Sequence, residues 1–321
     1  MFLMESLLSN FASPVVLAFV LGILAKVVKS DLEIPKPLYQ GISIYLLLAI
    51  GLKGGVELSK TPMNEFILPA GATLLLGCLT PLIAFAVLRY LGKLDVTNSS
   101  AIAAHYGSVS VVTFIASISY LEALGVSSEG FMPTLVAMLE VPGIIVALII
   151  PQMMQSGGGS FKKALHEVVT GSSIVLLLGG LIIGYIAGPI KFEAVKPFFV
   201  SGFQGALVLF LLELGMVTAR RLQDLKKVGF FIVGFAIAIP ILHGVLAIWI
   251  GLLAGLSIGG ATVFAAMVSS GSYIAAPAAV RIALPQASPS LYLTASLGIT
   301  FPFNITLGIP LYYLIAQWMG G

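Results

Sequence analysis

Apolar positions along this chain come in long unbroken runs, separated by short clusters of charge, Gly and Pro. Alternating strand-like patterns are missing from these runs. A helix needs about 20 apolar residues to cross the hydrocarbon core of a bilayer. Read this way, the chain predicts ten spans, near 13–28, 37–53, 66–89, 97–120, 131–151, 172–190, 197–217, 228–254, 258–280 and 289–318. The fold class expected is an all-α polytopic membrane protein.

Composition sharpens that picture. Of 321 residues, 59% are hydrophobic and 9% charged, against about 25% charged in a soluble domain. A soluble enzyme, a disordered chain and a nucleic-acid binder are excluded. Little length is left for a separate soluble domain. The net charge of +3 is too small to imply an anionic macromolecular partner, and the single cysteine, Cys78, permits no intrachain disulfide. Ser and His are not arranged as an intramembrane hydrolase needs, and no paired intramembrane Asp accompanies them. No enzyme is expected.

Ten spans place both termini on one side. The connections on the opposite side then hold Lys26, Lys29, Lys36, Arg89, Lys93, Lys162, Lys163, Arg220, Arg221, Lys226, Lys227 and Arg281. The terminal side holds only Lys53, Lys60, Lys191 and Lys196. The positive-inside rule therefore puts both termini outside the cytoplasm. Residues 1–10 carry Glu5 and no Lys or Arg, so the first span is not a cleavable signal. The longest cytoplasmic break, 151–171, contains Gly157, Gly158 and Gly159, the signature of a flexible linker.

The halves on either side of that linker echo each other. Residues 39–52 match 203–216, with Gln40 on Gln204 and Gly51 on Gly215. At the same offset Gly107-Ser108 meets Gly271-Ser272, and at nearly the same offset Glu140-Val141-Pro142 meets Thr300-Phe301-Pro302. The matches fall in spans 2/7, 4/9 and 5/10. The division expected is a first five-helix repeat at 1–156, a linker at 157–171 and a second repeat at 172–321. An odd span number per repeat inverts the second repeat in the membrane, the plan of secondary transporters with a site near the midplane.

Spans 4 and 9 carry the polar chemistry. Gly107, Ser108, Val109 and Ser110 lie within span 4, and Ser269, Ser270, Gly271, Ser272 and Tyr273 within span 9. Gly weakens a helix, and Pro277 removes a backbone hydrogen bond. Both spans are expected to be interrupted at these residues. Broken backbone at membrane depth persists only where protein buries it or a cavity adjoins it. A half-helix N-terminus offers N–H groups and about half a positive charge. Two of them, with serine hydroxyls, would hold a small anion; the alternative is that small residues merely allow close helix packing.

Glu140 lies inside span 5, just before Val141-Pro142. An ionisable group there costs at least about 2.5 kcal/mol on the insertion scale. Glu140, Ser110, Thr113, Thr300 and Asn304 are candidate oxygen ligands for Na⁺, a hard cation. The alternative for Glu140 is a protonated acid bonded to a neighbouring helix. Glu213 lies near a helix end by this reading and reaches the interface. His105 and His243 lack the company of metal ligands and suit helix–helix hydrogen bonds. Gln40 and Gln204 suit packing or caps. No cofactor or metal beyond Na⁺ is expected.

The run Ser270-Gly271-Ser272-Tyr273-Ile274-Ala275-Ala276-Pro277, continuing through Arg281-Ile282-Ala283-Leu284-Pro285 and Ser288-Pro289-Ser290-Leu291-Tyr292, resembles the sodium-dependent bicarbonate transporter family, the SbtA type of cyanobacteria. So do Ile50-Gly51-Leu52-Lys53-Gly54-Gly55 and the tail Ala316-Gln317-Trp318-Met319-Gly320-Gly321. The resemblance runs along essentially the whole chain. It implies a five-plus-five inverted repeat with core and gate domains and interrupted crossing helices at spans 4 and 9. It also implies Na⁺-driven bicarbonate uptake at the bacterial inner membrane by an elevator-type mechanism, a homotrimer in membrane lipid, and a PII-like cytoplasmic regulator. The family's site falls here on Gly107 to Thr113 and Ser269 to Tyr273, and its acid falls on Glu140. Cyanobacterial members carry Asp at that acid, and Ser-Ser-Ser-Asp where this chain has Ser270-Gly271-Ser272-Tyr273. Their central cytoplasmic loop is longer. From the residues alone, a symporter for another small anion, such as a carboxylate, remains an alternative. A cation/proton antiporter is disfavoured because no Asp lies within any span.

Overall fold

The computed structural model describes residues 13–154, 161–222 and 225–321. Their regular structure is entirely helical, with no strand among the described residues. Residues 1–10, assigned above to an uncleaved N-terminus, and Gly157 to Gly159 lie outside them.

Helix α1 is Pro14–Val27, started by a Ser13 cap whose hydroxyl accepts the Val16 amide. Helix α2 is Lys36–Lys60 and α3 is Met63–Leu91. Span 4 is two helices, α4 at Val96–Tyr106 and α5 at Val111–Ala123. Span 5 is α6 at Met132–Leu139 and α7 at Pro142–Met154, with Glu140 at the joint. Helix α8, Phe161–Thr170, occupies much of the expected linker. Then come α9 at Ser172–Phe192, α10 at Pro197–Leu222 and α11 at Leu225–Leu253. Span 9 is again two helices, α12 at Ile258–Val268 and α13 at Ala275–Ala283. The chain closes with α14, Pro289–Gly320, whose middle loosens into π-turns at Thr294–Thr300 and Asn304–Gly308.

Among the described residues eight stretches, with Val96–Ala123 and Met132–Met154 each taken as one, are long and apolar enough to cross a membrane; Pro14–Val27 and Ile258–Val268 are shorter apolar helices. Large apolar side chains such as Leu75, Ile186 and Phe230 face outward. Such a surface suits lipid, where a helix satisfies its own backbone.

Helices α1, α2, α9 and α10 pack on one another, while α3 to α7 and α11 to α14 form the second group. Glycine sets the first group's geometry. A Cβ on Gly22 would stand 2.1 Å from the Leu212 carbonyl oxygen and 3.0 Å from Gly215 Cα. A Cβ on Gly51 would stand 2.6 Å from the Leu177 oxygen and 2.9 Å from Gly180 Cα. Helix α1 therefore lies backbone to backbone on α10, and α2 likewise on α9. In lipid, close packing of this kind replaces the missing hydrophobic drive between helices. In the second group Gly107 and Gly143 touch: a Cβ on Gly143 would sit 1.8 Å from the Gly107 oxygen. That contact seats the break of span 4 against the start of α7.

Candidate functional site

The chain stops being helical at Tyr106 and resumes at Val111, and stops again at Val268 and resumes at Ala275. The two gaps meet. The Ser110 amide donates to the Ser270 hydroxyl at 2.7 Å. The Ser272 amide donates to the His105 carbonyl at 2.8 Å. Each gap also caps its own following helix: the Ser110 hydroxyl accepts the Thr113 amide at 3.2 Å, and the Ser272 hydroxyl accepts the Ala276 amide at 3.4 Å. Gly271 lets the second gap lie close against α14, since a Cβ there would reach Ser296 Cβ at 3.0 Å.

Glu140 adjoins this meeting point. The Ser108 hydroxyl donates to its backbone carbonyl at 2.9 Å. Its side chain is 2% exposed, and Oε2 is buried without a hydrogen-bond partner. A bare buried carboxylate is costly unless a cation or a proton answers it. Val109, Ser110, Val111, Glu140, Ser173, Ser272, Tyr273 and Ile274 line a cavity of about 10 Å³ here. That is about the space one water-sized sphere fills.

Among the anion-site candidates, Ser110, Ser272 and Tyr273 face one another across the cavity; the Ser110 hydroxyl donates to the Tyr273 phenol at 3.3 Å. Ser108, Ser269 and Ser270 are spent on backbone: Ser269 and Ser270 donate to the Ala266 and Met267 carbonyls. Three of the cation candidates lie off the cavity. Thr113 is fully buried, and its hydroxyl has no partner. The Thr300 hydroxyl donates to the Ala236 carbonyl at 2.6 Å and bonds the Tyr106 phenol. Asn304 donates to the Ser269 carbonyl at 3.1 Å and accepts from Tyr312, so it braces the second gap from behind.

Other expectations change with the fold. His105 donates through Nδ1 to Ala101 on its own helix and stacks on Tyr292. It therefore makes no helix–helix hydrogen bond, and buried His243 bonds through neither nitrogen. Glu213 lies in the middle of α10, half-buried, and not near its end. Gln204 caps nothing; its amide donates to Ser119 at 3.0 Å across a cleft of about 590 Å³. Lys53 and Glu122 stand 4.0 Å apart in the same cleft. Gly255-Leu256-Ser257-Ile258-Gly259 has the spacing of a hydrolase nucleophile turn, yet the Ser257 hydroxyl accepts the Gly260 amide and caps α12. Among the described residues no three His, Cys, Asp or Glu side chains gather as a metal site.

Helices long and apolar enough to cross a membrane, two of them interrupted where they meet beside a buried acid, make this a multi-pass membrane protein. The profile of the Na⁺-dependent bicarbonate transporter superfamily matches residues 14–317, and the chain belongs to that superfamily. Bicarbonate and Na⁺ are the solutes this membership implies. A search of curated proteins finds no match to the chain.

Sequence reasoning missed Ser173. It sits at the start of α9, far from both gaps in the chain, and no motif marks it. The small-residue run Gly171-Ser172-Ser173 opening an apolar span was the one available signal.

Proposed function

We propose that the protein takes up bicarbonate together with Na⁺ across the bacterial inner membrane by alternating access. The chain forms ten spans in two inverted five-span repeats, with both termini outside the cytoplasm. The observation that carries this reading is the reciprocal bonding of the two gaps beside Glu140. Gly51 and Gly215, equivalent by sequence, support the repeat: Gly51 packs on Gly180 in α9, and Gly215 packs on Gly22 in α1. The first span of each half thus meets the second span of the other.

In this mechanism α1, α2, α9 and α10 form a fixed scaffold, and the remaining helices carry the site past it. The starts of α5 and α13 present helix N-termini to the anion, which favours negative charge without a Lys or Arg. Glu140 holds the cation with oxygen ligands from Ser110, Ser272 and Tyr273. The larger cleft, lined by Lys53, Glu122 and Gln204, opens on the side that the basic residues assign to the exterior. One Na⁺ per bicarbonate moves no net charge. A tenfold Na⁺ gradient, about 1.4 kcal/mol, then supports about tenfold accumulation.

The test is labelled bicarbonate uptake into proteoliposomes at fixed pH, with an inward Na⁺ gradient against a K⁺ control. Uptake with Na⁺ alone is expected. Equal uptake in both would overturn Na⁺ coupling, and strong inhibition of the labelled uptake by unlabelled acetate or sulfate would reassign the anion.

A further inference from the structure

The small cavity is walled almost entirely by one group of helices. Ser110 and Val111 open α5, Ser272 and Tyr273 belong to the second gap, and Glu140 joins α6 to α7. Ser173 alone comes from the other group. It is the second residue of α9, is 5% exposed, and α9 packs through Gly180 on Gly51 of α2. The α9 cap position is Gly171, which offers no side-chain oxygen. The Ser173 hydroxyl is therefore not needed to begin its helix.

We propose that Ser173 is a ligand of the transported cation, completing from the scaffold the oxygen set that Glu140 anchors in the moving helices. The inference rests on the Na⁺-coupled reading of that site. Its physical basis is the buried, unpartnered Glu140 Oε2 together with the presence of Glu140 and Ser173 in the lining of one small cavity. A hard cation gathers oxygens, and Ser110, Glu140, Ser173, Ser272 and Tyr273 of the cavity lining each carry one or more in the side chain.

The consequence is coupling. A cation bridging Ser173 and Glu140 ties the two helix groups together in this arrangement. When the groups slide, Ser173 stays with α9, the ion loses a ligand, and its affinity falls. Cation release then accompanies the movement instead of preceding it.

The experiment measures bicarbonate uptake against Na⁺ concentration for wild type, Ser173→Ala and Ser173→Thr. For Ser173→Ala the half-saturating Na⁺ concentration is expected to rise about tenfold, with the bicarbonate KM at saturating Na⁺ unchanged. Ser173→Thr, which keeps a hydroxyl, stays near wild type. Wild-type Na⁺ dependence in Ser173→Ala overturns the ligand role while leaving Na⁺ coupling intact. A parallel loss of Na⁺ and bicarbonate affinity assigns Ser173 to packing and also overturns it. A wild type indifferent to Na⁺ removes the underlying reading and this inference with it. Should Ser173→Ala not fold, Ser173→Cys supplies a second test: a thiol is a poor ligand for a hard cation, so its half-saturating Na⁺ concentration is expected to rise as well. An unchanged value would overturn the proposal.

Discussion

Ser110 and Ser272 play matching parts in the two gaps: each caps the helix that follows it with its hydroxyl and sends its amide to the opposite gap. The amide of one reaches the Ser270 hydroxyl, and that of the other the His105 carbonyl. Four polar groups that a broken helix would leave orphaned are thereby satisfied inside an apolar protein. That is how a break at this depth is tolerated.

Ser270→Ala removes the acceptor of the Ser110 amide and leaves a buried N–H unpaired. A loss of about 1–3 kcal/mol is expected. Thermal unfolding in detergent measures it. A variant as stable as wild type would mean that the two gaps are not held together by this bond.

Glu140→Gln keeps the shape and removes the charge. Because Oε2 has no partner, stability should hold or rise. Na⁺-stimulated uptake should fall at least about tenfold, as loss of a charged ligand worth 1.4 kcal/mol or more requires. Retained stimulation would move the cation elsewhere.

Glycine substitutions separate helix contact from lipid contact. A Cβ at Gly215 would meet the Phe19 carbonyl oxygen at 2.1 Å, whereas one at Gly179 meets nothing within 4 Å. Gly215→Ala is expected to cost about 1–3 kcal/mol by overpacking. Gly179→Ala should be neutral or gain about 0.5–1 kcal/mol from helix propensity. Paired melting curves decide, and equal effects would argue against close α1–α10 packing.

Asp95 caps α4 through the Asn98 amide at 2.8 Å. Partial burial pushes its carboxyl up. Hydrogen bonds from the Asn98 side chain and from the Asn98, Asp95 and Thr97 amides outweigh this and hold it below the usual carboxylate range. A lowered folded pKa means that the cap's stabilisation is fully present above the unfolded value, about 3.9. It is lost as pH falls through the folded value. Asp95→Ala should cost about 1 kcal/mol at neutral pH, and its penalty should shrink in melts taken on the acid side. A penalty independent of pH would contradict the sign.

His243 is fully buried in α11, and neither ring nitrogen has a partner. Replacing an unsatisfied polar group by an apolar one of similar size removes its desolvation cost. His243→Leu should melt no lower than wild type and transport normally. A loss of uptake with full stability would give this histidine a part in the cycle.

The sequence by itself determined the features that follow from local chemistry. Run length against bilayer thickness marks stretches such as 37–53 and 228–254, which fall on Lys36–Lys60 and Val228–Leu253, and Gly with clustered hydroxyls marks the gaps after Tyr106 and Val268. An acid before Val141-Pro142 singles out Glu140, whose cost in lipid is written in its charge. Partnership was left to the tertiary structure. Ser108, Ser269 and Ser270 look alike in sequence to Ser110 and Ser272, yet they spend their hydroxyls on nearby carbonyls, whereas Ser110 and Ser272 line the cavity. Thr300 and Asn304 turn to Ala236 and Ser269 because the loosened α14 aims them there. Ser173 shares a cavity lining with Glu140, and the α9 that carries it is laid on α2 by Gly180 and Gly51. Hydrophobic periodicity fixes which face of a helix is buried. Which distant backbone that face meets depends on close packing between glycines far apart in the chain, and a linear pattern does not encode it.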